Sequence, residues 1–235
     1  MKKPAFGGRA SSVACNPILA PSCLVVDAAT SHLHLDLLHK KDAETRLRAI
    51  TYKGGGLSTI KGNFRDLPKF AEYNLNRGIY LVVNSGGDKA AEINKCHAFF
   101  VEWDDRPKED QLYIYKEKNL PEPTFMLDTG GKSIHYYWVS KSPVAPEVWH
   151  PIQIRLVDYC KADKNVKNPS RVMRLAGFYY INSDGKPTAK RSPSKSLDVK
   201  AIAIGAFSKR ALFCTNSCVN FSANPAETVF VKDAV

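Results

Sequence analysis

Aromatic and β-branched residues recur on a period of two in several parts of this chain. Residues 97–105, His-Ala-Phe-Phe-Val-Glu-Trp-Asp-Asp, predict a strand that is stopped by Arg106-Pro107. Residues 78–84 predict another, closed by Ser85-Gly86-Gly87-Asp88. Residues 124–128 and the aromatic run from Ser133 to Val139 predict two antiparallel strands joined by a glycine hairpin at Gly130-Gly131. A short strand is expected at 178–181, followed by the turn Asn182-Ser183-Asp184-Gly185.

Helical spacing occupies much of the remainder. Leu33, Leu37, Leu38 and Leu47 supply a stripe that predicts a helix within 31–50. Lys53-Gly54-Gly55-Gly56 reads as a loop, and Asp66 as the cap of a short helix reaching Asn74. Residues 109–119 predict a helix, and 147–161 an amphipathic one with Trp149, Ile152, Leu156 and Cys160 on one side. Asn168-Pro169 places a cap residue before proline, which predicts one helical turn through Arg174. Residues 1–30 have no clear period, 186–200 read as a basic loop, and 201–235 are weakly strand-like. There is no internal repeat.

These elements set which side chains face together. In the strand at 97–105, Phe100, Glu102 and Asp104 share one face and Phe99, Val101 and Trp103 the other. Two adjacent carboxylates on an apolar element repel and lose hydration unless a cation joins them or one keeps its proton. After the hairpin, Ser133, His135 and Tyr137 share a face opposite Ile134, Tyr136 and Trp138, whose larger apolar surface marks the core side. A helical turn would bring Arg171 and Arg174 together, and two guanidinium forks suit a triphosphate.

The charge sharpens this picture. Against 23 Asp and Glu stand 34 Lys and Arg, a net +11 in 235 residues, which calls for a polyanionic partner such as nucleic acid or a nucleoside triphosphate. The basic residues are scattered, so they line a groove rather than form a tail. No long basic amphipathic helix serves an anionic membrane, no apolar run reaches spanning length, and the N-terminus lacks the apolar core of a secretory signal. The expectation is a cytoplasmic protein with no membrane attachment. Its six cysteines have no framework spacing, and Cys214-x-x-x-Cys218 lacks a second pair, so free thiols are expected.

Two motif likenesses fail on their own terms. Gly131-Lys132-Ser133 resembles the end of a P-loop, but methionine stands at 126 where the first glycine belongs, and a strand follows rather than a helix. His32-Leu33-His34 matches a signature of rolling-circle nickases, yet the leucine spacing around it is helical, and residues two apart on a helix do not share a face.

Taken together, the motifs resemble the archaeo-eukaryotic primase superfamily, in its plasmid and phage replication branch of primase-polymerases. Glu102-Trp103-Asp104 matches the hydrophobic-acid-x-acid motif, Ser133-Ile134-His135 the small-x-His motif, Ala162-Asp163 the later acid, and the run from Arg171 to Phe178 the Arg-rich element. Glu102 stands where aspartate is frequent, and neither a zinc module nor a helicase segment is recognisable.

The resemblance implies an α+β fold in which an RRM-like antiparallel sheet backed by helices joins an N-terminal α/β unit, with the catalytic cleft between them. It implies a catalytic domain at 31–190, flanked by 1–30 and 191–235. Glu102, Asp104 and Asp163 would bind two Mg²⁺ or Mn²⁺ ions, and Lys132, Ser133, His135, Arg171, Arg174 and Asn84 the nucleotide. The implied activity is template-dependent nucleotidyl transfer by a DNA primase or polymerase, making or extending primers on single-stranded DNA from NTPs or dNTPs, with a helicase acting in trans. The competing readings are a rolling-circle nickase using His32, His34 and a tyrosine nucleophile, and a non-catalytic nucleic-acid-binding module of the same fold.

Overall fold

The computed structural model describes residues 26–52 and 58–191. Their elements run α1 (Ala28–Leu37), β1 (Arg46–Ile50), β2 (Ile60–Asn63), α2 (Leu67–Tyr73), β3 (Gly78–Val82), β4 (Cys96–Val101), α3 (Lys108–Gln111), α4 (Ile114–Glu117), β5 (Phe125–Asp128), β6 (Ile134–Val144), α5 (Pro146–Cys160), β7 (Val172–Arg174), β8 (Tyr179–Ile181) and β9 (Pro187–Arg191). The class is α+β. One antiparallel sheet has the order β2-β1-β3-β7 and a second the order β4-β6-β5, with β8 and β9 paired as a hairpin. Among the described residues no helix is long and apolar enough to cross a membrane.

In the four-stranded sheet, Leu47, Ala49, Ile79, Leu81 and Met173 alternate onto one fully buried face. The opposite face carries Arg48, Tyr80 and Arg174 in register.

The second sheet depends on how β4 is closed. This strand lies at the sheet edge, so β6 satisfies only one row of its backbone groups. Side chains of α5 meet the other row. Trp149 Nε1 donates to the Ala98 carbonyl at 2.8 Å, and Gln153 Nε2 to the Phe100 carbonyl at 2.6 Å. Gln153 Oε1 in turn accepts the Phe100 N–H at 3.3 Å, and its Nε2 reaches the Val166 carbonyl at 3.1 Å. Every one of these groups is buried, where an unmade hydrogen bond is costly. The helix places Trp149, Ile152, Leu156 and Cys160 on its inner side as the spacing predicts, and Lys161 ends it in the left-handed region at φ 52°.

Several expectations are corrected. The stripe drawn through 31–50 is divided: α1 ends at Leu37, Leu33 is exposed, and Leu47 is buried in β1, where pairing with strands on both sides overrides the helical spacing. The helix at 109–119 breaks into α3 and α4, because the Gln111 carbonyl accepts the Tyr136 hydroxyl instead of a helical N–H. Asp66 makes no side-chain cap of α2. Its carboxylate reaches back to the Asn63 N–H at 3.1 Å, and Asn63 caps the preceding 3₁₀ turn.

The helical turn at 168–174 does not form either. Asn168 Oδ1 accepts the Ser170 N–H at 2.9 Å in a side-chain-closed turn, and the chain then enters β7 as an edge strand beside β3. Residues three apart on a strand face opposite ways, so Arg171 and Arg174 diverge. Both faces of β6 are buried, Tyr137 as fully as Tyr136, because Tyr137 stacks on Phe125 at 4.5 Å. The expected basic loop begins with β9. The glycine loop and Cys214 and Cys218 lie outside the described residues, while Cys96 and Cys160 are free thiols.

Replacing Gln153 by leucine should therefore destabilise the protein by about 1–3 kcal/mol for each backbone group left unpaired at Phe100 and Val166. The shift in urea midpoint at unchanged m-value measures it.

Candidate active site

The β4–β6 register fixes the centre of the site. Val101 pairs with Tyr136, so carrying the same register past the end of β4 sets Glu102 opposite His135 and Asp104 opposite Ser133. The side chains meet accordingly. His135 Nε2 lies 2.9 Å from Glu102 Oε2, and Ser133 Oγ donates to Asp104 Oδ1 at 2.6 Å.

The third acid arrives on the strand's other edge. Gln153 holds the Val166 carbonyl, and the Asp163 N–H donates to the Glu102 carbonyl at 2.9 Å. Asp104 and Asp163 thereby line one cavity of about 250 Å³ together with Asp105, Lys161, Ala162 and Asn165. Asp104 is exposed, Asp163 half-buried, and Glu102 buried behind them.

A cation of the protein itself links the deeper pair. Arg171 Nη2 is 3.1 Å from Glu102 Oε1 and 3.4 Å from Asp163 Oδ2, and its buried Nε has no hydrogen-bond partner among the described residues. Burial alone would push the Glu102 carboxyl up, but the adjacent His135 and Arg171 outweigh it and hold the group down at about 2. Glu102 is thus ionised at neutral pH.

Oxygen donors of this kind suit a hard divalent ion. Among the described residues, however, no group of three or more His, Cys, Asp or Glu side chains is gathered closely enough to hold one as it stands. Arg171 occupies the gap between two of the three carboxylates.

The hairpin beside the acids is braced from two sides. Gln111 is fully buried, and its amide joins the Arg106 and Lys132 carbonyls to the Ile134 N–H at 2.8, 3.0 and 2.7 Å. Gly130 turns with φ 75°, and at Gly131 a Cβ would lie 2.2 Å from the Tyr180 ring. Lys132 is exposed at the tip. Neither Gln111 nor Gln153 carries a sequence signal, since their work is to satisfy backbone groups that only the fold brings near. Lys161 and Asn165 likewise enter the cavity through the turn after α5.

Other expected residues lie elsewhere. Arg174 faces the opposite side of β7 from Arg171 and stacks between Tyr80 and Tyr180, 4.7 and 4.9 Å from the ring centres. Asn84 is buried, with its amide spent on the His97 N–H and the Pro169 carbonyl at 3.0 and 2.9 Å, which steadies the segment leading to Arg171. His32 and His34 sit on α1 and form no pair. His32 packs edge-on against Phe64, and His34 Nδ1 accepts the Ala176 N–H at 3.3 Å inside the core.

No protein-family model matches the chain, and no curated protein does. Solved structures do. The AEP domain of the cyanophage S-2L primase-polymerase is 40% identical and superposes with a TM-score of 0.63, over 66% of this chain and 85% of that one. The catalytic domain of the primase RepB′, solved in complex with initiator DNA, is 15% identical with a TM-score of 0.50, over 79% of this chain and 96% of that one. At that identity the second likeness shows the fold alone.

The core histidine gives a pH signature. Burial first, then the nearby His135, holds His34 down at about 3 against an ordinary 6.5. Between those values the unfolded chain binds a proton that the folded chain refuses, so stability falls as pH drops through that window. His97, lowered to about 4 by burial and Lys40, adds to the slope. Urea unfolding from pH 7 to pH 4 should show His34→Gln losing its share of this acid sensitivity.

Proposed function

The chain belongs to the archaeo-eukaryotic primase superfamily, whose chemistry is nucleotidyl transfer of the primase or polymerase type, and on that premise we propose that it makes or extends primers on single-stranded DNA. Residues 31–190 would form the catalytic unit of a cytoplasmic replication protein supplied with NTPs or dNTPs, and a helicase in trans would open the template. The observation that carries this reading is the approach of Asp163 to Glu102 and its sharing of one cavity with Asp104.

Glu102, Asp104 and Asp163 would hold two Mg²⁺ or Mn²⁺ ions. Such ions lower the pKa of an attacking hydroxyl and offset charge on a pyrophosphate leaving group. The chain's own residues provide the setting. Ser133 and His135 hold Asp104 and Glu102 in fixed orientations and would turn their donors to a triphosphate only if those carboxylates were taken up by a metal ion, while Lys132 adds charge at the hairpin tip. Arg171 neutralises the two deeper carboxylates, and with a divalent ion held there its guanidinium would be free to turn to phosphate oxygens, which accept a fork of two donors. A nickase would need its histidine pair on a strand, and here that pair is on a helix with one member in the core.

Purified protein with Mn²⁺ and labelled nucleotides should make product on a single-stranded template. Parallel reactions with and without primer, and with each sugar, define the substrate. Asp104→Ala should abolish synthesis and leave oligonucleotide binding intact, and unchanged synthesis refutes the assignment.

Arg171 makes a second, separable prediction. Calorimetric titration with Mn²⁺ in the absence of nucleotide should show tighter binding by Arg171→Ala than by the native chain, because an internal competitor is gone. The same variant should incorporate nucleotides more slowly.

A further inference from the structure

One phenol outside the cavity of the acids reaches the site through a single neighbour. Tyr137 lies on β6, the middle strand of its sheet, and is paired with Phe100 on one side and Phe125 on the other. Its ring is fully buried, stacked on Phe125 at 4.5 Å with His34 packed edge-on at 5.6 Å, so strand pairing and ring packing both hold it in place. His135, two residues back on the same strand, shares its face. The Tyr137 hydroxyl has one hydrogen-bond partner among the described residues, His135 Nδ1 at 3.4 Å, the long end of such a contact.

The surroundings decide which way that bond runs. Burial first, then the nearby Glu102 charge, pushes the Tyr137 phenol well above its ordinary range, so it keeps its proton and has to donate it. His34 cannot accept. Its Nδ1 already accepts the Ala176 N–H, and its Nε2 then carries the ring's own proton, with no acceptor among the described residues. The Tyr137 proton therefore points to His135 Nδ1, and the His135 proton sits on Nε2, 2.9 Å from Glu102 Oε2.

We infer that Tyr137 is a positioning residue, whose hydroxyl fixes the ring of His135 so that an N–H rather than a lone pair faces the acids. The inference rests on the polymerase reading above and adds what keeps that donor aimed. While Glu102 is free, its carboxylate alone can hold the Nε2–H. With a divalent ion at Glu102 that hold is given up, and Tyr137 is the contact that remains, on the far side of the ring and away from the charge. A triphosphate oxygen would then meet an N–H, whereas the opposite tautomer would set a lone pair against it.

Nitrogen-15 spectra of the full chain, without metal or nucleotide and at mildly alkaline pH, read the tautomer directly. Native protein should show His135 protonated at Nε2. Glu102→Ala, which removes the carboxylate, should keep that single tautomer, and adding Tyr137→Phe, which keeps the ring and its stacking, should give a mixture. Tyr137→Phe alone should incorporate nucleotides with Mn²⁺ about three- to tenfold more slowly, the loss expected of one hydrogen bond, at an unchanged urea midpoint. A native His135 protonated at Nδ1 overturns the inference, and so does a tautomer that Tyr137→Phe leaves single in the Glu102→Ala background. Should Glu102→Ala fail to fold, a native rate of incorporation by Tyr137→Phe overturns it as well, and leaves the polymerase reading standing. The mixed tautomer in a protein that makes no product keeps the positioning role and removes the polymerase reading.

Discussion

The outer edge of β4 governs the candidate active site. One side of this strand is read by β6, which sets His135 against Glu102 and Ser133 against Asp104. The other side is read by α5 and the turn after it, through Trp149, Gln153 and finally the Asp163 N–H. Backbone groups at alternate positions point to opposite sides, so one strand can align two acids with one neighbour and recruit a third from another. Asp163 is placed by a main-chain hydrogen bond, which fixes its distance from Glu102 more firmly than contact between flexible side chains could.

Electrostatics then explains why so polar a centre is tolerated. Glu102 is buried, and an unpaired charge there would be expensive. His135 and Arg171 approach its two oxygens from separate sides. Arg171 reaches them because Asn84 and the Val83 N–H hold the segment from Pro169 to Arg171 at the end of β3. The segment leading into β7 of the first sheet thus supplies the counter-charge for Glu102, which follows β4 of the second, and for Asp163 beside it.

Much of this arrangement was legible in the chain. Period-two aromatic runs marked β4, β5 and β6, and the alternation placed Glu102 with Asp104 and Ser133 with His135 because facing is inherent to a strand. The misreadings have physical causes. Asn168 favours helix caps and side-chain-closed turns for the same reason, a short side-chain acceptor near its own backbone, so sequence could not choose between them. The leucines at 31–50 suit a helix, and only pairing with β2 and β3 claims Leu47 for a strand. Gln111 and Gln153 were invisible because their partners are distant main-chain atoms. The divergence of Arg171 from Arg174 followed from the lost helical turn.

The Tyr180 ring lying on Gly131 bears on how material reaches the centre. A hairpin wedged by a neighbouring aromatic and stapled by Gln111 cannot lift as a flap without breaking both supports. The wall that Ser133 presents to Asp104 is therefore a fixed one, and the mouth that Asp104 and Lys161 line keeps its shape.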